Sequence, residues 1–379
     1  MESLNKANRG SVSTGPYQVD NSLKVEADNN ELLSRSTSGA SDGSSTQHTI
    51  SVWVKRTELG IDCEPVSAAG IGRFRFESDD TFSYQFRSGK EIITTRKFRD
   101  TSAWYHIVAV GDSSQSTASD RMKLYVNGVQ ETDFGTANYQ DQNQASPGWG
   151  KNTLYSLNVG AAASSTRNFS GYIAEMYYID GQSLDPTYFG EFDDDTGIWI
   201  PKAFTGTHGS LDTYLDFSDS SNLGKNSGGT TDLTATNIAA ADQATDSPTN
   251  NFCTWAPQWG FYRKSTITEG GTEVAGAAGG WSHAASSFGV SNGRWYWEWK
   301  ITSSEIGFIS ISTLEGNLGL NQLGHDNSVI MGYANGNLYT WLGGSQGSNE
   351  STGWGTWAVN DIIGIYLDLE NSDRRFVLY

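Results

Sequence analysis

Two cysteines and seven prolines in 379 residues already narrow the field. Cys63 and Cys253 are isolated from each other and from histidine, so they form neither a metal-ligand cluster nor a disulfide framework. Two buried thiols are the expectation, with one bridging disulfide as the alternative. No apolar run approaches the ~18 residues needed to span a bilayer as a helix. The opening MESLNKANRGSVSTG carries no apolar signal-peptide core, so neither a membrane span nor Sec export is expected of it. No window holds a 3.6-residue apolar stripe for more than a turn or two, which excludes a helical bundle. Basic charge is also scarce. The net charge of −18 argues against a nucleic-acid partner, which needs a cationic face to displace counterions, and against anionic membrane surfaces.

What is abundant is glycine (43), tyrosine (17), phenylalanine (16) and tryptophan (13), with only 36% of residues hydrophobic. Aromatic and β-branched residues in short alternating runs between turn residues describe an all-β protein. HTISVWVKR at 48–56 alternates, IGRFRF at 71–76 and TFSYQFR at 81–87 read as a hairpin, and WYHIVAV at 104–110 reads as a further strand. MKLYVNGV at 122–129 breaks at Asn127-Gly128, the strongest short hairpin signal, because both central residues of a type I′ turn need positive φ. Strands at 129–134, 154–160 and 171–179 follow. The only good helix start is Asp185-Pro186, an N-cap with proline at the first helical position, stopped by Gly190.

From 205 to 250 the chain turns to Gly, Ser, Thr, Asn and Asp, with brief apolar islands at 214–217 and Leu233, and reads as irregular connecting chain. A second β-region begins at 251. Its signals are RWYWEWKI at 294–301, EIGFISIS at 305–312, VIMGYA at 329–334, NLYTWL at 337–342 and DIIGIYLDL at 361–369, with Asn335-Gly336 as a second hairpin turn. In the first of these, Trp295, Trp297 and Trp299 share one face and are assigned to the core. Two unlike antiparallel sandwiches are therefore expected, over 1–204 and 251–379, joined by 205–250.

Catalytic apparatus is hard to find. His48, His106, His208, His283 and His325 are scattered, no G-x-S-x-G occurs, and His106 inside a patterned strand reads as structural. Asp193-Asp194-Asp195 and Asp216-Phe217-Ser218-Asp219 offer clustered oxygens without an EF-hand frame, so no metal site and no cofactor are assigned. Flat aromatic faces flanked by Gly, Ser and Asn suit either sugar or protein contacts. Trp149, Trp281, Trp354 and Trp357 are the loop-like tryptophans and the candidate ligand-binding residues, against the plainer reading that each lids a small core.

The segments SVWVKR, WYHIVAV, KLYVNGV, LNVGA at 157–161 and GYIAEMYYIDGQSLDPTYF at 171–189 resemble, in order and spacing, a laminin-G/concanavalin-A-like jelly roll. GRWYWEWKI, IGFISIS and DIIGIYLDL resemble a SPRY domain, whose last strands are not matched before Tyr379. The pair, with GEFDDDTGIWIPKAFTG between them, is similar to structural proteins of tailed bacteriophages, especially marine ones. That resemblance implies a non-enzymatic virion component, a tail fibre or a capsid-surface decoration, made in the host cytoplasm. It implies other virion proteins as partners, a homo-oligomer such as a trimer, and host-surface glycans as ligand, with structural calcium an option that many such sandwiches use. A concanavalin-fold glycan-degrading enzyme is the alternative, and a free lectin or adhesin is another. The enzymes carry E-x-D-x-x-E on one strand; the nearest segment here, Glu191 to Thr196, lacks the third carboxylate.

Overall fold

Asn127 and Gly128 form the hairpin turn that their sequence predicts, with φ of 48° and 78°. Asn127 also turns its Oδ1 back to accept the amide of His106 at 2.8 Å, which ties the turn to the neighbouring strand. The computed structural model describes residues 17–36, 44, 46–68, 71–146, 148–149, 156–162, 166–257, 265–276, 282, 284–303, 308–312, 328–333, 337–339, 341–342, 345–346, 350–351, 357–370 and 375–378. These fall into two units, one taking the described residues up to Thr254 together with Ile267–Glu273, the other the described residues of Trp255–Thr266 and of the chain from Val274 on.

The first unit is an all-β sandwich. Its strands in chain order are β1 Ser22–Val25, β2 Leu32–Ser36, β3 Gln47–Arg56, β4 Cys63–Ala68, β5 Gly72–Phe76 and β6 Phe82–Arg87. Then come β7 Lys90–Thr94, β8 Tyr105–Asp112, β9 Met122–Val126, β10 Val129–Gln130, β11 Phe134–Ala137 and β12 Ser156–Val159. Last are β13 Gly171–Asp180, β14 Gly190–Phe192, β15 Trp199–Pro201, β16 Thr213–Leu215, β17 Thr234–Thr236 and β18 Gln243–Ala244. One sheet runs β10-β9-β8-β3-β13-β1-β18, with β16 also on β13. The other runs β11-β7-β6-β5-β4-β12-β2-β17. All the registers are antiparallel, and alternate residues of each strand enter one shared core. Ile50, Val52, Val54, Ile107, Leu124 and Ile173 from the first sheet meet Val66, Phe74, Phe76, Phe82, Tyr84 and Val159 from the second.

Several sequence expectations are revised here. The segment 205–250 is not connecting chain: β16 and β18 pair with the first sheet, β17 pairs with the second, and Leu215, Phe217, Leu223 and Leu233 lie in the core. Each of its strands is too short to show alternation, so its apolar islands were legible but their destination was not. The expected helix at Asp185 is a single 3-10 turn, Pro186–Tyr188, whose N-cap Asp185 accepts the amide of Thr187. Cys63 is buried as expected, but Cys253 is exposed, and no disulfide joins them.

In the second unit, Arg294–Lys300 pairs along its full length with Ile362–Asp368, which in turn pairs with Arg375–Leu378. Phe308–Ser312, Ser328–Tyr333, Asn337–Tyr339 and Glu350–Ser351 make a second small sheet. Trp297 and Trp299 pack on Ile363 and Ile365, as a core-facing stripe should. Asn335-Gly336 lies outside the described residues.

Candidate functional site

The side chains most suggestive of catalysis turn out to be structural. His106, on the outer face of the first sheet, stands 2.8 Å from Ser51 Oγ, a spacing that resembles a base and its nucleophile. Its other nitrogen, Nδ1, accepts the indole N–H of Trp199 at 2.9 Å. Nδ1 therefore has no proton, Nε2 carries it, and the ring donates to Ser51 instead of accepting from it. Burial holds the imidazole neutral, pushed down to about 3. His48 is sealed in the core against Tyr84 in the same neutral state.

The candidate tryptophans divide. Trp149 is only 1% exposed: its ring lies beside His48 and Tyr178 in the core, and its indole N–H donates to the carbonyl of Gln85 at 2.9 Å. It is a core residue rather than a ligand platform. Close packing accounts for the glycines around it: a Cβ on Gly72 would come within 2.4 Å of the ring, and one on Gly148 within 2.6 Å of the Gly72 amide nitrogen. Trp357 is half-buried on the Ile363/Ile365 cluster. Trp281 and Trp354 lie outside the described residues. The acidic run at Asp193 is a tight turn in which Asp193 Oδ1 accepts from Thr196, and no metal-holding cluster of His, Cys, Asp or Glu occurs among the described residues.

Polar groups converge instead along the edge of β13 opposite β3. That edge is shared: β1 pairs with its first residues and β16 with Met176–Tyr178. At the changeover sits a β-bulge, with Glu175 at φ 47°, a conformation that side chains other than glycine rarely adopt. Its carboxylate is buried and accepts hydroxyls from Tyr17 (2.9 Å), Tyr177 (3.1 Å) and Tyr214 (3.1 Å). Burial raises its pKa to about 7 despite those three donors.

Where β13 ends, a pocket of about 420 Å³ opens between Ser44, Asp180, Gly181 and the loop 209–212. Arg35 fixes that loop from below, donating to the carbonyls of Leu211 and Asp212 at 2.6 and 3.2 Å. Asp212 is fully buried, and its oxygens accept the amides of Asp180 and Gly209, both at 2.8 Å. Asp180 reaches the pocket and accepts the amide of Ser44 at 2.7 Å. Burial raises its pKa to about 6, with the Ser44 amide opposing and the Asp212 charge adding. Beside the pocket, Tyr177, Tyr214 and His208 stack with planes within 9° of parallel, and Tyr214 and His208 are partly exposed.

Sequence reasoning missed Asp180, Asp212, Glu175 and Tyr214. The Asp180-Gly181 step at the end of a strong strand was the available signal. Nothing in the sequence marked Asp212, far along the chain, as its partner.

Residues 30–183 match the family profile described as the Concanavalin A-like lectin/glucanases superfamily, laminin G type. No curated protein matches. Among solved structures, a heptameric SAP-like pentraxin from Limulus polyphemus is 16% identical, covering 44% of this chain and 78% of the pentraxin, at a TM-score of 0.32. A putative carbohydrate binding protein from Bacteroides ovatus is 14% identical, covering 52% of this chain and 56% of that one, less than two thirds of its length, with a TM-score of 0.32. Domains LG4-5 of the mouse laminin alpha1 chain are 10% identical, covering 97% and 78%, at 0.31. Over residues 30–183, from β2 through β13, the chain is similar to domains of the laminin-G/concanavalin A-like lectin/glucanase kind.

Proposed function

We propose that this chain is a non-enzymatic structural protein of a phage particle whose sandwich binds glycan at the pocket closing β13. The observation that carries the glycan reading is the composition of that pocket. Asp180 is an acceptor held in place by a backbone amide, exposed Gly209 and Ser210 border it, and the partly exposed stack of Tyr214 and His208 lies alongside. Sugars are recognised by that combination of pre-set hydrogen-bonding groups and flat rings.

The superfamily embraces both lectins and glucanases, and one feature favours each. Two adjacent carboxylates, one raised to about 6, resemble the acid and partner of a glycosidase. Against that, Asp212 is sealed from solvent and both its oxygens are taken by backbone amides, so among the described residues lining the pocket no second carboxylate faces a substrate. Binding without cleavage is the reading this supports. The phage assignment rests on the resemblance of the two sandwiches in tandem, and it brings with it virion neighbours, a homo-oligomer and a place on the particle surface.

The test uses the full chain on a panel of bacterial surface polysaccharides, with Asp180→Asn as the variant. Binding weakened about tenfold by the substitution, with an unchanged melting temperature, is expected, since a charge-assisted hydrogen bond contributes roughly 1.5–3 kcal/mol. Equal binding by variant and parent removes the pocket from the reading. Release of reducing sugar that Asp180→Asn abolishes makes the protein an enzyme.

A further inference from the structure

On the outer face of the first sheet, away from the pocket, a lysine is buried completely. Lys55 of β3 has no exposed side-chain surface. Its Nζ lies 2.7 Å from Asp246 Oδ2, 2.8 Å from Asn251 Oδ1 and 2.6 Å from the carbonyl of Phe252. Asp246 and Asn251 are each 5% exposed. The other oxygen of Asp246 accepts the indole N–H of Trp104 at 2.9 Å, and the carboxamide nitrogen of Asn251 donates to the carbonyl of Ser102 at 2.7 Å. The Tyr172 ring closes the site, its centroid 5.7 Å from Nζ. A primary amine, a carboxamide and a carboxyl group are therefore locked together where aromatic rings exclude water.

An ammonium with three acceptors accounts for the hydrogen bonds, but the same placement is also that of reactants. We propose that Lys55 and Asn251 are joined by an isopeptide bond that the protein forms on itself, with Asp246 carrying the proton. Nζ, as the free amine, attacks Cγ of Asn251, and a new N–C bond forms. The Cγ–Nδ2 bond breaks, and Nδ2 leaves as ammonia. Asp246 takes a proton from Nζ and delivers one to Nδ2, ending in the state in which it began. No electrons are transferred, so no oxidant or reductant is needed.

Geometry and environment agree with this. The Asn251 carbonyl is turned toward the amine because its nitrogen is held by Ser102. Holding reactants in contact replaces a bimolecular encounter, which is what an otherwise inert amide requires. Burial pushes the lysine down and the aspartate up, and both shifts favour the neutral amine and carboxyl over the ion pair. The bond would tie β3 to the segment following β18 in a sandwich whose two cysteines are not linked. It does not depend on what the pocket binds.

The experiment is intact mass of the denatured full chain, followed by tryptic mapping. The expected result is a mass lower by one ammonia and a branched peptide containing both Lys55 and Asn251, with cleavage after Lys55 abolished. A succinimide at Asn127-Gly128 would lose the same ammonia, so the branched peptide decides. Lys55→Arg, Asn251→Ala and Asp246→Asn should each restore the full mass. If a variant fails to fold, the parent's peptide map decides alone. Separate Lys55 and Asn251 peptides from the folded parent overturn the proposal.

Discussion

Trp199 donates its indole N–H to Nδ1 of His106, and in doing so fixes which nitrogen of that histidine holds a proton. The bond also anchors β15 over the Asn127-Gly128 turn, where a Cβ on Gly128 would meet the Trp199 ring at 2.3 Å. Trp199→Phe removes the donor and leaves a buried nitrogen without a partner, which costs about 1–3 kcal/mol by urea unfolding. His106 and His48 stay neutral to about pH 3 in the fold, whereas an exposed histidine protonates near 6.5. The unfolded chain then binds the extra protons, so this stability is complete above pH 6.5 and drains as pH falls toward 3. Because Glu175 titrates the other way over this range, the check uses Glu175→Gln: midpoints of that variant that stay level between pH 6.5 and 4 would contradict the burial of both rings.

Glu175 works in the opposite sense. Its folded pKa of about 7 exceeds that of an ordinary glutamate, so the folded chain holds the extra proton. That contribution is complete below about pH 4.5 and is lost as pH rises through 7. Glu175→Gln should flatten this part of the profile and make the variant more stable than the parent, relative to acid conditions, at pH 8. A variant whose stability follows the parent's pH dependence would show that the tyrosine-ringed carboxylate does not titrate.

Asn127→Val places a β-branched residue at positive φ and deletes the bond to the His106 amide. About 2–4 kcal/mol should be lost by thermal or urea unfolding, since backbone strain and an orphaned donor add. Glycan retention measured below the new melting point should be unchanged; selective loss of binding would move the turn into the recognition surface.

Trp149→Ala should cost about 3–5 kcal/mol, the range for emptying a buried aromatic site, because the ring is enclosed and its N–H is bonded. If the variant were as stable as the parent yet lost ligand, the tryptophan would be a platform after all.

A chain ending at residue 204 should fail to fold. It lacks β16, β17 and β18 and the core side chains Leu215, Phe217, Leu223 and Leu233. Sharp amide dispersion in a two-dimensional spectrum of that fragment would refute the dependence.

The long strands were legible because alternation over β3, β8, β9 and β13 dictates which side chains can be buried, and the Asn127-Gly128 turn fixed a register. The loop tryptophans were not, because glycine and serine beside a ring mark close packing as readily as exposure, and Trp149 shows the former. The pocket was illegible for a different reason. Asp180 and Asp212 meet only because β16 returns to the edge of β13, and a strand of three residues leaves no periodic trace. Alternation in β3 sets Lys55 on the face opposite the core, and it cannot reveal that later chain covers that residue.

The path of the chain between Thr213 and Ala244 has a mechanical meaning. It laces the two sheets, pairing β16 to one, β17 to the other and β18 to the first again. Tension entering the sandwich at Thr254 meets the Lys55 contacts, then the bonds of Thr249 and Ser247 to the carbonyl of Val19, and then the β18–β1 pairing. The resistance of the domain to pulling from that side then depends on this seam, where chain following β16 is fastened onto β1 and β3.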